Sequence, residues 1–244
     1  MASLKASSKI ILALDFSDVK DVKKTLSQLK GQAVYYKVGL ELFISHGWKV
    51  VELVKKTGAR VFLDLKLHDI PNTVAKSVAT ACRHEIDILN VHALGGFEMM
   101  QRAGEAFKKN AVNKKAELIA VTILTSHDQK VLDKELRIGC PIPSQVVHLA
   151  KLAEKAGLSG VVASPLEVKL IRKAVEKKFR VVTPGVRPLT ADLNDQKRVY
   201  TPAQAIREGA DYLVIGRPIT QAQDPSKAFE MIALEIDQGL KTKD

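Results

Sequence analysis

The sequence has little cysteine, few aromatic residues and no long apolar run. Its two cysteines, Cys82 and Cys140, cannot form a disulfide framework. The apolar run nearest the N-terminus, residues 10–14, is five residues long. A signal peptide needs about 7–15 apolar residues and a membrane span about 20. These shortages exclude a disulfide-stapled scaffold and predict a protein of the reducing cytoplasm with no membrane partner.

Acidic residues are fewer than basic ones. The 244 residues include 38 Lys plus Arg against 27 Asp plus Glu, which gives a net charge of +11. Such a surplus suits nucleic acid, an anionic membrane surface or a small anionic substrate. However, 28 of the cations are lysines spread along the chain, whereas nucleic-acid sites usually cluster basic residues and interleave aromatic ones. The pattern therefore favours a solvated, lysine-rich surface over a nucleic-acid partner.

Eight short apolar runs alternate with amphipathic segments along the chain. Near-continuous runs of Val, Ile and Leu are typical of parallel strands covered on both faces. The runs are residues 9–15, 35–39, 59–66, 88–93, 118–124, 160–164, 180–185 and 212–216. The segments between them have helical spacing, as at Val146, Leu149, Ala150 and Ala153, with Gly157 as a stop signal.

This alternation predicts an α/β fold, a (β/α)8 TIM barrel, as a single domain over residues 1–244. The competing architecture is a doubly wound open sheet. It is disfavoured because no G-x-G-x-x-G follows the first run and the chain contains no P-loop sequence. In a barrel the active site lies at the carboxyl ends of the strands. The residues at which the apolar runs end are therefore the candidate functional residues.

The third run carries charges where a barrel strand is normally apolar. Side chains alternate along a strand, so Leu63, Leu65 and Leu67 should face the helices. Asp64 and Lys66 should then point together into the mouth of the barrel. Two interpretations remain open for them. They form a buried ion pair that fixes the strand register, or a preorganised charge array that handles a proton and an anion.

Three more charges belong to the same strand ends. Asp15 ends the first run, Lys37 lies in the second, and Asp69 follows the third. Together the first three strands would bring carboxylates and ammonium groups into one small volume, which suits moving a proton beside a carbanion. No cluster of His, Cys or carboxylates has the spacing of a metal site, so we expect no metal.

The seventh and eighth runs end in two similar glycine and arginine pairs. Gly185 precedes Arg187, and Gly216 precedes Arg217. Barrels often bind phosphate through the loops after these two strands, and an arginine fork matches phosphate oxygens. The pairs therefore predict an anion site.

Two long connections follow strand ends. Residues 188–201 are polar and form either a surface loop or, as we favour, a lid over a bound phosphate. Residues 125–143 begin with Thr125 and Ser126, whose hydroxyls could contact the polar edge of a ligand.

Seven segments of the chain carry a family resemblance that spans nearly its whole length. They are Leu14-Asp15, Tyr36-Lys37-Val38-Gly39, residues 62–73, Asn90-Val91-His92-Ala93, Leu124-Thr125-Ser126, residues 183–187 and residues 215–219. In this order the chain resembles the orotidine 5′-monophosphate decarboxylase family. The most specific segment is D-x-K-x-x-D-I-P-N-T at residues 64–73.

The resemblance implies a cofactor-free decarboxylation of orotidine 5′-phosphate to uridine 5′-phosphate, the last step of pyrimidine nucleotide synthesis. It implies that Lys66 donates a proton to the carbon that loses CO₂. Asp64 would lie beside the leaving carboxylate, and Lys37 and Asp69 would complete the charged array.

The resemblance also implies a homodimer and a set of substrate contacts. Asp69 and Thr73 would reach into the site of the partner subunit. The implied contacts are Asp15 and Lys37 to the ribose, Thr125 and Ser126 to the pyrimidine, Gln196 to base and phosphate, and Arg187, Gly216 and Arg217 to the phosphate.

Two alternatives stay open. A related D-x-K-x-x-D barrel enzyme, a sugar-phosphate decarboxylase or aldolase, would use Mg²⁺, but Lys37 stands where a metal site needs a carboxylate. A basic nucleic-acid-binding module would show strongly salt-dependent binding. It gives no account of Asp15, Asp64 and Asp69 at the strand ends.

Overall fold

The structure, a computed structural model, describes residues 3–188 and 200–241. Eight strands form a closed barrel in the order β1 to β8, which confirms the predicted (β/α)8 architecture. The strands are β1 (Ile10–Ala13), β2 (Tyr35–Gly39), β3 (Arg60–Leu67), β4 (Ile88–His92), β5 (Glu117–Val121), β6 (Gly160–Val162), β7 (Arg180–Pro184) and β8 (Tyr212–Ile215).

Helices precede, separate and follow the strands. They are α1 (Leu4–Ser7), α2 (Val19–Gln28), α3 (Leu40–His46), α4 (Trp48–Lys55), α5 (Pro71–Cys82), α6 (Gly96–Asn110), α7 (Ile142–Lys155), α8 (Val168–Arg172), α9 (Pro202–Glu208), α10 (Arg217–Thr220) and α11 (Pro225–Lys241). Short 3₁₀ turns at Ala93–Gly95 and Pro165–Glu167 and a π-helical turn at Val131–Glu135 complete the described elements. No helix in the described ranges is both long and apolar enough to span a membrane.

The chain forms two compact units, and the first comprises Met1–Leu65 and Gly185–Asp244. In it β1 pairs in parallel with β2 and β8, and β2 pairs with β3. All four residues of β1 and all five of β2 are buried, as expected for strands covered on both faces. Helix α11 buries Phe229, Ile232, Ala233 and Ile236, the spacing that places an apolar stripe on one face.

The second unit comprises Lys66–Pro184 and contains strands β4 to β7, paired in parallel in that order. Helix α5 begins with a proline at its first turn, where the missing N–H costs nothing, and it packs against α6. Helix α7 buries Val146, Leu149, Ala150 and Ala153, the four positions singled out by their spacing in the sequence.

Candidate active site

The first unit contains a compact group of charges around Lys37. Its ammonium Nζ donates a hydrogen bond to Asp15 Oδ1 at 2.9 Å and lies 3.5 Å from Asp64 Oδ2. Strand β2 supplies the lysine, β3 supplies Asp64, and Asp15 follows β1 by two residues. Because β2 pairs with both neighbours, Lys37 lies beside β3, which carries Asp64, and beside β1, which leads to Asp15. The structure therefore brings together three of the residues predicted from the sequence.

Burial makes this group unusual for a barrel strand. Lys37 and Asp64 are each 8% exposed, whereas the side chain of Asp15 is 60% exposed. A buried ion pair gains little net stability, because taking both charges out of water offsets most of their attraction. Apolar residues would fill these positions at lower cost, so stability alone does not account for them. The arrangement provides a fixed ammonium with one shielded and one solvent-facing carboxylate.

Two glycines let the backbone approach these charges. A Cβ at Gly39 would lie 2.8 Å from Lys37 Nζ, so a side chain there would displace the ammonium. A Cβ at Gly216 would lie 3.5 Å from Asp15 Oδ2 and 3.3 Å from Ala13 Cβ. The predicted phosphate-binding Gly216 therefore lies next to the predicted ribose-binding Asp15. Gly39 was matched in the sequence only as part of a motif, and its contact with Lys37 needed coordinates.

Lys66 lies in β3 and has a backbone conformation that the neighbouring residues do not predict. Its φ is 51°, in the left-handed region that few non-glycine residues adopt. Its N–H donates to the side-chain Oδ1 of Asn90 in β4 at 2.8 Å. The alternation rule that placed Lys66 on the face of Asp64 assumes an extended backbone. The left-handed turn at Lys66 departs from that assumption, so the rule does not fix the direction of its side chain.

Two histidines of the second unit lie close to Lys66. The rings of His68 and His92 stack with centroids 5.5 Å apart and an interplanar angle of 18°. His92 Nδ1 accepts a hydrogen bond from the N–H of Leu94 at 3.3 Å. Burial of the ring, together with electrostatic repulsion from His68, Lys66 and His127 in that order, lowers the pKa of His92 to about 4. His92 is therefore neutral near pH 7 and adds no positive charge beside Lys66.

We expect His92 to make folding pH-dependent below neutrality. Its pKa is about 4 in the folded chain and about 6.5 when unfolded, so the unfolded state binds more protons in between. Its contribution to stability is complete above pH 6.5 and is lost as the pH falls towards 4. After allowance for solvent screening of a half-buried ring, the loss should be about 2 kcal/mol.

Urea unfolding at a series of pH values measures this effect. His92→Gln should flatten the slope of unfolding free energy against pH between 4 and 6.5. His148, exposed on α7, supplies the matched control, because His148→Gln should keep the wild-type slope. Identical slopes in wild type and His92→Gln would contradict the expectation.

Four other predicted site residues lie in exposed positions of the second unit. Asp69 follows β3 and accepts a hydrogen bond on Oδ1 from the N–H of Ile70 at 2.6 Å. Thr73 is exposed in the first turn of α5. Thr125 and Ser126 occupy an exposed turn closed by a hydrogen bond from His127 N to Leu124 O at 2.9 Å. The described contacts give these four residues no ion pair of their own.

The predicted anion-binding residues belong to the first unit. Arg187 is half-buried after β7, and its N–H donates to the carbonyl of Tyr200 at 3.0 Å. That bond holds together the two ends of the connection predicted as a lid. Arg217 is exposed at the start of α10. Gln196 lies outside the described residues.

Sequence reasoning missed three contributors to this region. Asn90 entered only within a matched motif, and His92, at the end of the fourth apolar run, was given no role in the chemistry. The buried side chain of Asn90 interrupts an apolar strand, which is a visible signal in the sequence. The stacking partner His68 gave no such signal. Within residues 3–188 and 200–241, no group of three or more His, Cys, Asp or Glu side chains is arranged to hold a metal ion.

Comparison with known proteins finds chains of similar sequence and a solved structure of similar fold. A relative from Trichlorobacter lovleyi named orotidine 5′-phosphate decarboxylase is 51% identical over 237 residues, which cover 97% of this chain and 98% of the relative. One from Geobacter sulfurreducens with the same name is 51% identical over 235 residues, covering 96% and 98%. The crystal structure of orotidine 5′-phosphate decarboxylase from Lactobacillus acidophilus has a TM-score of 0.84 at 38% identity and covers 94% of this chain and 99% of its own.

A family model also matches most of the chain. The Orotidine 5′-phosphate decarboxylase / HUMPS family matches residues 8–232, which include every segment that carried the resemblance in the sequence. The barrel, the charged strand ends and the relatives therefore agree, and the chain belongs to the Orotidine 5′-phosphate decarboxylase / HUMPS family.

Proposed function

We propose that the chain decarboxylates orotidine 5′-phosphate to uridine 5′-phosphate and CO₂, without a metal or organic cofactor, in pyrimidine nucleotide synthesis. The observation that carries the proposal is the buried Lys37, bonded to Asp15 and 3.5 Å from Asp64, on a strand next to the one that bears Lys66. A site with fixed charges of both signs suits a reaction in which negative charge moves from a leaving carboxylate to a carbon.

The proposed step breaks the bond between the carboxylate carbon and C6 of the pyrimidine. The electron pair of that bond stays on C6 as a vinyl carbanion, and CO₂ leaves. The ammonium of Lys66 then transfers a proton to C6, and its nitrogen keeps the electron pair of the broken N–H bond. Before the transfer, the same positive charge stabilises the developing carbanion. Enzymes typically lower such barriers by about 8–23 kcal/mol, and a preorganised charge is the largest usual contribution.

The remaining charges surround the reacting groups in the proposed step. We propose that Asp64 lies beside the leaving carboxylate and that Lys37 and Asp69 complete the array. Lys37 is well suited to its part, because its two carboxylate contacts fix the ammonium before substrate arrives. A preorganised array costs no reorganisation when the charge moves.

Contacts far from the reacting carbon supply binding energy that can be used to assemble the site. We propose that Arg187, Gly216 and Arg217 bind the phosphate, and that Asp15 and Lys37 bind the ribose. The proximity of Gly216 to Asp15 supports adjacent phosphate and ribose positions. The remaining proposed contacts are Thr125 and Ser126 to the pyrimidine and Gln196 to base and phosphate.

A direct assay tests the function. Purified protein in EDTA, mixed with orotidine 5′-phosphate, should lower the absorbance at the edge of the orotate band near 280 nm as product forms. Turnover that is equal with and without EDTA supports the cofactor-free reaction. Turnover that EDTA abolishes and Mg²⁺ restores would favour the metal-dependent alternative, and no turnover in either condition would refute the proposal.

Arg217→Ala should weaken binding of uridine 5′-phosphate by about 10- to 100-fold, the value of a charge-assisted hydrogen bond to phosphate. Binding of uridine, which has no phosphate, should be unchanged, and calorimetry can measure both. Arg207 is an exposed arginine on α9 of the same unit, so Arg207→Ala is the matched control and should bind both ligands as wild type does. An equal loss for both ligands would contradict a phosphate role.

We propose that the enzyme works as a homodimer in which Asp69 and Thr73 reach the partner's site. Both residues are exposed, and the apolar Ile70 between them is 66% exposed, as expected of a segment that packs on another subunit.

We also propose that the two compact units act as one domain, because strand β3 belongs to both. We propose that the protein acts in the reducing cytoplasm, and the free cysteines Cys82 and Cys140 support this location.

Mixing two inactive variants tests the shared site. Lys66→Ala and Asp69→Ala subunits should together regain up to roughly a quarter of wild-type activity, because half of the dimers are mixed and each has one intact site. Different affinity tags on the two chains verify that mixed dimers form. Mixed dimers without activity would show that Asp69 serves the site of its own subunit.

A further inference from the structure

A backbone outlier occurs at the residue proposed to donate the proton. Among the described residues, three non-glycine positions have positive φ: Lys66, Glu85 and Arg137. Glu85 lies in a turn after α5 and Arg137 in the connection after the π-helical turn, where such angles are common. Lys66 alone of these three lies within a strand. An unfavourable backbone angle persists only when its surroundings enforce it.

The side chain of Asn90 supplies one such constraint. Its Oδ1 accepts the Lys66 N–H at 2.8 Å, and because a backbone amide can only donate, this contact also fixes which end of the Asn90 amide faces Lys66. Asn90 is fully buried at the centre of β4, opposite Ile119 of β5. An interior strand position of a barrel is normally Val, Ile or Leu, and a buried amide is costly unless it is hydrogen-bonded. The hydrogen bond from the Lys66 N–H offsets part of the cost of burying this amide.

The backbone φ angle at Lys66 sets the direction in which its side chain leaves the strand. The left-handed backbone turns the Cα–Cβ bond away from the direction it has in an extended strand. The ammonium is several bonds further along, so a small backbone change moves it by more than the change itself. A displacement of about 1 Å at a reacting group can cost about 100-fold in rate. The constraint on the backbone is therefore a constraint on the proton donor.

We infer that Asn90 is a positioning residue, which holds the Lys66 backbone in its left-handed conformation and so directs the ammonium at the reacting carbon. The inference rests on the proposed function, since it concerns how Lys66 is presented. Asn90 acts through Lys66 and has no contact with substrate in this scheme. It should therefore affect the chemical step and leave binding of the nucleotide almost unchanged.

Asn90→Leu and Asn90→Asp separate this role from a structural one. Leucine keeps the branched shape and removes the acceptor, so kcat should fall about 30- to 100-fold. The dissociation constant of uridine 5′-phosphate should stay within about threefold of wild type. Aspartate keeps an oxygen toward the Lys66 N–H and should retain at least about ten times the kcat of the leucine variant. If Asn90→Leu does not fold, Asn90→Ala replaces it in the same comparison.

Asn113 of the same unit provides the matched control. Its side chain also accepts a backbone N–H, from Lys115 at 2.9 Å, and donates to Asp87 at 3.0 Å. Asn113→Ala should lower the melting temperature and keep kcat within about twofold of wild type.

Equal kcat in Asn90→Leu and Asn90→Asp, or wild-type kcat in Asn90→Leu, would overturn the inference. If the wild-type protein did not turn over orotidine 5′-phosphate, the proposed function itself would fail, so the two failures are distinguishable.

Discussion

Lys66→Ala should lower kcat by at least about four orders of magnitude, because it removes both the proposed proton donor and its positive charge beside the carbanion. General acid catalysis typically contributes about 10²–10⁴-fold, and one electrostatic contact about 10²–10³-fold. The two effects act on the same carbon in one step. The loss should therefore approach their product.

The folded state should tolerate this change. Lys66 is half-exposed, and its N–H bond to Asn90 involves the backbone, which alanine retains. Alanine at a positive φ is no more strained than lysine, since both carry a Cβ. Circular dichroism and urea unfolding should therefore give near-wild-type values, and uridine 5′-phosphate should still bind because the proposed phosphate contacts are intact.

Lys109, an exposed lysine on α6, gives the control for the loss of a charge from the same unit. Lys109→Ala should keep wild-type kcat. Adding a small primary amine to Lys66→Ala probes the role further, because a soluble ammonium can partly restore a proton donor. A kcat for Lys66→Ala within tenfold of wild type, in folded protein, would contradict the assignment.

The strands and their order could be predicted because the information is local. A strand covered on both faces needs an unbroken apolar run, and each of the eight runs overlaps a strand of the barrel. Lys37 and Asp64 were found by the same rule, as charges inside apolar runs. The fifth run was assigned up to residue 124, yet β5 ends at Val121. Apolar residues in the following connection are also buried, as Ile123 is, and pattern alone does not separate them from a strand.

The conformation of Lys66 could not be predicted in this way. The alternation of leucines around Asp64 and Lys66 predicts a regular strand. No nearby glycine or asparagine indicates a left-handed backbone conformation. The group that accepts the Lys66 N–H comes from residue 90 on another strand. Contacts between residues far apart in sequence depend on register, which composition and periodicity do not provide.

The net charge of +11 is a poor guide to the site. The group around Lys37 contains one cation and two carboxylates. Because these charges contact one another, a charge change within the group should have consequences that a surface lysine would not show. Exposed lysines such as Lys109 could attract an anionic nucleotide over a distance of about 10 Å, which salt screens. The chemistry depends instead on where a few charges are fixed.

Lys37→Met should lower kcat/KM by about three orders of magnitude and the free energy of unfolding by about 3 kcal/mol. The change removes an ammonium that is 2.9 Å from Asp15 and 3.5 Å from Asp64. Breaking a buried pair by removing one partner is costly, because the other charge keeps its desolvation penalty. Asp15 is largely solvated and should contribute little to this cost. Urea unfolding and steady-state kinetics measure the two effects separately.

The double variant Lys37→Met with Asp64→Asn decides between the two interpretations of these charges. Neutralising both partners removes the unbalanced buried charge, so its stability should return to within about 1 kcal/mol of wild type. If the pair only fixed strand register, a well-folded double variant would also regain activity. If the pair belongs to the catalytic array, activity should stay at least about 10³-fold below wild type although stability is restored. Recovery of stability without recovery of activity is the expected result, since the proposed reaction uses these charges and the barrel does not need them.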